Sequence, residues 1–209
     1  MKFTIETNEP LGETRVVMTS NCYTDAFPLV NSIILRKQDI DTKQQILPVA
    51  VALLVANYCG EVFEFEGIRI GNDHADAIRR IIGRDVSVLN VDGMQRTVST
   101  GEIDIQCEKA TGRMPVREAL RPDDTTPFLK LDWSGDPVSI YSRNSWNSAQ
   151  GMIHTNAALF ADDVTVSVAM ALIYGRGAVR TIHVAEGETG IDHLNAVLRP
   201  IAVSVAELV

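Results

Sequence analysis

The 209-residue chain carries four histidines, and two of them sit in matching surroundings: Asp73-His74 opens the stretch GNDHADAIRRIIG and Asp192-His193 opens GIDHLNAVLRPIA. Imidazole titrates near neutrality, so a histidine beside a carboxylate is a candidate general acid or base. His74 and His193 are accordingly candidate catalytic residues, placed to face each other where two similar segments meet. The polar stretch YSRNSWNSAQGMIHTNAALFADD adds His154 and Asp162 as acid-base candidates, and Asn144 and Trp146 as an amide and an indole that could line a pocket. Arg80 and Arg199 occupy matching places in the two helical stretches and complete the set as guanidinium ligands for a small anion. A zinc site takes three or four ligands, which two histidines do not supply, so no metal ligand set is assigned.

Each of these residues also has a structural use. Asn72, Asp73 and Asp192 suit the N-cap of a helix, where a side-chain oxygen accepts an otherwise unpaired backbone N–H. Asp162-Asp163 suits the cap of a helix beginning near Val164, and Arg79, Arg80 and Arg199 suit the carbonyl-rich C-terminal turn. No Walker loop, GxGxxG after a strand, GxSxG elbow, HExxH or EF-hand spacing occurs, so the sequence implies no cofactor.

The elements that must position these residues follow one order twice. Alternating openers, FTIET from Phe3 and FLKLD from Phe128, precede Gly- and Pro-containing turns. RVVMTSNCY then lies on VSIYSRNSW, pairing Asn21 with Asn144 and Tyr23 with Trp146, and VAVALLVANYCGEV lies on VSVAMALIYGRGAV. Short strands follow (EVFEFEG and AVRTIHVAEG), then the Asp-led helices. The apolar helices are expected to end at Gly60 and at Gly175 or Gly177 in a left-handed cap. Between the halves, DVSVLNVDGMQRTVSTGEIDIQCE reads as a hairpin turning at Asp92-Gly93. The fold class expected is α/β, with α+β as the alternative: an internally duplicated two-layer unit with a pseudo-two-fold axis. The domain reading is a first repeat over 1–110, a linker over 111–126 rich in Pro, Gly, Arg and Asp, and a second repeat over 127–209.

Composition bounds the function classes. With 45% hydrophobic and 22% charged residues the chain is ordinary globular protein. A net charge of −8 disfavours nucleic acid, which needs a surplus of Lys and Arg. The most apolar run, ILPVAVALLVANY, falls short of the roughly 18 to 20 residues that span a bilayer and is expected to be a buried helix. Cys22, Cys59 and Cys107 lack CxxC spacing, and the opening MKFTIETN has no secretory core. A cytoplasmic location is expected, with Cys59 a core sulfur.

The segment ALLVANYCGEVFEFEGIRIGNDHADAIRRIIGRDVSVLNV resembles the repeat of the enolpyruvyl transferases, in which six β-α-β-α-β-β units build two domains. The places matching that family's Gly-Ser-Lys-Ser substrate loop read TSNCY and SRNSW. GEVFEFEG followed by a helix is similar to the accessory domain of deazaguanine-synthase-like proteins, whose Ser-Gly-Gly-x-Asp-Ser nucleotide loop has no counterpart here. The resemblances imply an α/β body and transfer no catalytic residue. The function expected is a non-catalytic binding or assembly subunit working with a protein partner or by self-association. The alternative is a small-molecule enzyme or ligand-binding protein with its site at the junction of the repeats.

Overall fold

The computed structural model describes residues 1–36, 41–83, 85–93, 103–109, 128–131, 138–141, 151–175, 178–184 and 186–207. The chain starts with an antiparallel hairpin, β1 (Lys2–Asn8) and β2 (Glu13–Thr19), whose tight turn ends on Gly12 at φ 57°. That left-handed conformation is what glycine tolerates best. Alternation sends Phe3, Val16 and Met18 into the core, and β3 (Ser32–Arg36) continues the pattern with Ile33 and Leu35.

Helix α1 (Ile46–Val55) follows, and all ten of its residues are buried. A helix apolar on every side must be covered on every side. Its Pro48 lies in the first turn, where no intrahelical N–H bond is lost. Full burial of each Leu, Ile or Val contributes about 2 kcal/mol, so packing rather than capping holds this helix. The chain returns through β4 (Val62–Phe65), parallel to β1, where Phe63 and Phe65 meet Phe3 at ring-centroid distances of 4.8 and 5.7 Å. Next come β5 (Ile70–Gly71), α2 (Asn72–Ile82), β6 (Ser87–Val88) parallel to β4, and β7 (Val91–Asp92). Helix α2 buries His74, Ala75, Ala77, Ile78, Ile81 and Ile82 along one face, and Gly83 closes it at φ 65°.

The later part of the chain contributes β8 (Ile103–Lys109), β9 (Phe128–Leu131), β10 (Val138–Tyr141), β11 (Gly151–Thr155), α3 (Asp163–Gly175), β12 (Val179–Val184), α4 (Ile191–Leu198) and β13 (Ser204–Glu207). Among the described residues one mixed sheet runs in the order β13-β12-β8-β9-β10-β11-β3-β2-β1-β4-β6. Helices and strands are thus mixed, as an α/β or α+β chain requires. Apart from the two-residue β5, which pairs with β7 outside the main sheet, the element order from β1 to β6 is three antiparallel strands, helix, strand, helix, strand. The same order runs from β9 to β13. This differs from the β-α-β-α-β-β order of the transferase repeat.

The centre of the sheet is the antiparallel pairing of β3 with β11, where His154 lies opposite Arg36. Following the pairings outward, β1, β4 and β6 point one way, and β9, β8, β12 and β13 point the other. Helices α1 and α3 pack together, α3 also meets β8, β9 and β12, and α2 packs on both α1 and α4. Asn156 reinforces the junction: its Oδ1 accepts the Ile34 N–H at 2.8 Å and its Nδ2 donates to the Ser32 carbonyl at 2.9 Å.

Several sequence expectations are corrected here. Val91–Asp92 is not one arm of a hairpin with residues 103–109. It pairs in parallel with Ile70–Gly71, while β8 enters the main sheet between β12 and β9. Asp-Gly favours a tight turn locally, but the tertiary partners available to each strand override that preference. Strand β8, drawn by sequence into the 1–110 segment, therefore pairs with strands of the later segment. The 111–126 linker lies outside the described residues. Neither Asp-led helix is capped by its aspartate: Gly71 and Gly190 hold the N-cap positions without a side-chain bond. Asp73 and Asp192 stand at the second position of the first turn, where a carboxylate meets the positive end of the helix dipole.

Replacing Asn156 by Ala leaves the Ile34 N–H and the Ser32 carbonyl without their partner. The expected result is a loss of about 1–3 kcal/mol in urea unfolding, with faster amide exchange at Ile34 than in the parent protein.

Candidate functional site

The segment of residues 20–31 links β2 to β3 and begins where the chain terminus is buried. Met1 is fully buried, and its ammonium donates to Asn21 Oδ1 at 2.6 Å, to Asp25 Oδ1 at 2.9 Å and to the Val62 carbonyl. Asp25 is closed off from solvent with it. Its Oδ1 also accepts the Gly60 N–H at 2.8 Å, and its Oδ2 accepts the N–H groups of Asn21 at 3.0 Å and Cys22 at 3.3 Å. Burial alone would push this carboxyl up, but the ammonium and the Gly60 and Asn21 amides outweigh it and bring the pKa down to about 2.

Further bonds clamp the loop to the segment that follows α1 and to β2. Ala26 N–H donates to the Tyr58 carbonyl at 2.9 Å, Glu61 N–H to Thr24 Oγ1 at 3.1 Å, and Met18 N–H to the Asn31 carbonyl at 2.8 Å. Gly60 is required by this contact rather than by a left-handed cap. A Cβ there would lie 2.2 Å from Thr24 Oγ1 and 2.8 and 2.9 Å from the backbone of Thr24 and Asp25. Pro28 is buried and Val30 packs against the core. The fixed loop turns its other side chains outward: Tyr23 is 92% exposed, Phe27 59% and Leu29 107%.

The residues nominated from sequence that the structure describes fall on several elements. His74 is buried on α2 with its Nδ1 lacking a hydrogen-bond partner among the described residues, whereas His193 is exposed on α4. Burial pushes the His74 pKa down, opposed by the charge of Asp73. Asp162 accepts the Thr165 N–H and hydroxyl, both at 3.0 Å, and so caps α3. Arg80 donates to the Ala196 carbonyl at 3.3 Å, tying α2 to α4, and Arg199 is exposed in the turn after α4. Asn144 and Trp146 lie outside the described residues. Cys59 is buried, as expected, and Cys22 is a partly buried free thiol.

Two open clefts lie at the carboxyl ends of β1, β4 and β6. One of about 540 Å³ is walled by Glu6, Glu9, Glu13 and Arg15, and one of about 660 Å³ by Glu64, Glu66, Arg69, Asn90 and Asp92. Both are predominantly acidic, so neither suits the small anion expected beside Arg80 and Arg199. Among the described residues no group of three or more His, Cys, Asp or Glu could hold a metal, and no helix is long and apolar enough to cross a membrane. No protein-family model matches the chain, and no similar curated protein or solved structure was found.

Sequence reasoning aligned Tyr23 with Trp146 but chose only the second as a binding residue. The missed signal was the concentration of three large apolar residues within a segment bounded by Ser20 and Asn31, which has the Pro, Asn, Ser and Asp content of a surface loop.

Asp25→Asn leaves the Met1 ammonium buried without its counter-charge and is expected to cost about 3 kcal/mol in chemical denaturation. The Asp25 carboxyl is depressed from about 3.8 to about 2, so its contribution is complete above pH 3.8. It fades as pH falls toward 2, and this part of the acid transition should vanish in the variant. His74 acts in the same direction over a higher pH range, since its folded pKa lies below the ordinary 6.5 and the unfolded chain binds the proton more readily. Stability is therefore expected to fall as pH drops below 6.5. Denaturation midpoints compared at pH 7.5 and 5.0 should differ less in His74→Leu than in the parent.

Proposed function

We propose that the chain is a non-catalytic binding or assembly subunit, built from two copies of one α/β unit, which docks a protein partner through residues 20–31. The observation that carries this reading is the display of Tyr23, Phe27 and Leu29 by a loop whose backbone is already fixed. Apolar side chains held out in water gain free energy when a partner covers them. Because Asp25 has already ordered the loop, docking loses little conformational entropy.

The partner's chemistry follows from the same surface. The loop's one ionisable carboxylate, Asp25, is neutralised inside, while the chain as a whole carries −8. A complementary surface offers apolar pockets for the phenol, the ring and the leucine, with Lys and Arg around the rim. A second copy would bring the same negative charge and is the weaker candidate.

The two-copy reading rests on the shared element order and on β3 meeting its counterpart β11 antiparallel, as a two-fold axis would require. The alternative, a small-molecule site at the junction, asks the strand ends of both halves to converge. Their opposed directions carry those ends to opposite sides of the sheet. The free thiol of Cys22 accords with a reducing compartment such as the cytoplasm.

The test compares the parent protein with the triple variant Tyr23→Ser, Phe27→Ser, Leu29→Ser, each purified gently from the native host and examined by native mass spectrometry. The variant should keep its unfolding midpoint and lose a partner that the parent retains. In the parent complex, residues 20–31 should gain amide protection, and rising salt should weaken the complex. A partner retained by the variant, or a parent protein without one, overturns the proposal. Self-association through these three residues overturns the choice of a basic partner.

A further inference from the structure

A long mixed sheet has two outer strands, and each presents backbone groups to any chain that can pair with them. Among the described residues the outer strands are β6, only two residues long, and β13, Ser204–Glu207. β13 pairs in parallel with β12, placing Ile182 opposite Val205 and Val184 opposite Glu207. In such a strand alternate residues turn their N–H and C=O toward the neighbour, and the others turn them outward.

The outward groups of Val205 are not left open. Asn195 on α4 accepts the Val205 N–H through Oδ1 at 2.7 Å and donates through Nδ2 to the Val205 carbonyl at 2.8 Å. One side-chain amide therefore presents to Val205 the donor and acceptor that a neighbouring strand would present. The nearest counterpart in the fold is Asn156, whose amide also bonds a strand but splits its two bonds between the Ile34 N–H and the Ser32 carbonyl of β3 alongside β11. There the side chain continues a strand pairing. At β13 it stands in place of one.

We infer that Asn195 holds shut a latent strand-pairing surface on β13, and that the occupant it excludes is β13 of a second copy of this chain. The second copy is selected by the chemistry of the two groups concerned. When two antiparallel strands are related by a two-fold axis through one residue in a hydrogen-bonded position, that residue exchanges both N–H···O bonds with its own copy. Val205 pairing with Val205 of a second molecule satisfies the same donor and acceptor that Asn195 satisfies now. The sequence VSVAE at 203–207 alternates β-branched with small or polar residues and carries a single charge, a composition that supports such pairing. This inference is independent of the loop at residues 20–31, and either can fail without the other.

The experiment is sedimentation velocity on full-length Asn195→Ala across a hundredfold concentration range. The variant should form a dimer, at least tenfold more populated than in the parent at equal concentration, and Val205 should be protected from amide exchange in that dimer. Adding Glu207→Pro, which deletes the next outward N–H of β13, should return the variant to the parent's behaviour. A folded Asn195→Ala that keeps the parent's association state overturns the inference, as does a dimer indifferent to Glu207→Pro. Should Asn195→Ala not fold, amide exchange in the parent decides the matter. Val205 must then exchange at least tenfold more slowly than Glu207, and equal rates overturn the inference.

Discussion

A carboxylate and an ammonium buried together are stable only where each meets the other and the remaining lone pairs find donors. The Asp25 carboxylate accepts from Met1, Gly60, Asn21 and Cys22, and the Met1 ammonium donates besides to Asn21 and the Val62 carbonyl. These residues belong to the start of β1, the turn after α1, the start of β4 and the β2–β3 loop. One charge pair thus joins four segments that are distant in sequence. It lies at the end of the sheet where the first parallel strands begin, away from the acidic clefts at their carboxyl ends. Tyr23 stands between the anchored Cys22 and Asp25, and Phe27 directly follows the bonded Ala26, so the anchoring borders two of the three side chains displayed in water.

Strand direction governs what the two halves can do together. A βαβ crossover leaves the carboxyl ends of its strands free for ligands, and in open α/β sheets ligand sites usually form there. The antiparallel meeting of β3 and β11 turns the later half around, so the two sets of carboxyl ends diverge. What the halves share is the helix layer, in which α1 packs against α3 and α2 against α4. That layer is apolar and closed. Even its polar members serve packing: Arg80 bonds a carbonyl of α4, and Gln44 reaches the Ile173 carbonyl at 3.3 Å. The shared region consequently behaves as core.

Much of the architecture was legible in the sequence because it rests on local periodicity. Phe3 and Phe128 do begin strands, the apolar run does form a buried helix, and GNDHADAIRRIIG does form an amphipathic one. The errors cluster where a distant partner decides. Asp92-Gly93 carries a turn signal, but Val91 found Ile70 in parallel. Gly60 follows a helix and suggested a left-handed cap, while its real constraint is the backbone of Thr24 and Asp25, which no local window contains. For the candidate site the difficulty was sharper. Tyr23, Phe27 and Leu29 read the same whether buried or exposed, and the loop that carries them is anchored by a carboxylate whose counter-charge is the chain terminus. His74 and His193 looked equivalent in sequence, but one is buried in α2 and the other is exposed on α4, since the helices present different faces at that position.

The surfaces that remain differ in how completely their chemistry is satisfied, and that difference orders them as interaction sites. The clefts at the carboxyl ends hold carboxylates already opposed by cations, as in Lys2 with Glu66 at 3.0 Å and Arg69 with Asp92 at 3.4 Å. Both pairs are solvent-exposed, and such pairs contribute little either way. The outer edge of β13 is satisfied at Val205 by Asn195, and that of β6 is only two residues long. The β2–β3 loop differs in kind: its backbone is tied to the protein at Asn21, Cys22, Ala26 and Asn31, while three of its largest side chains have water as their environment. A polar group satisfied by its own chain gains little from a partner, because one hydrogen bond merely replaces another. An apolar group in water has no such substitute, so its gain on being covered is undiminished. Of the surfaces described, the loop therefore has the most free energy to offer an incoming protein.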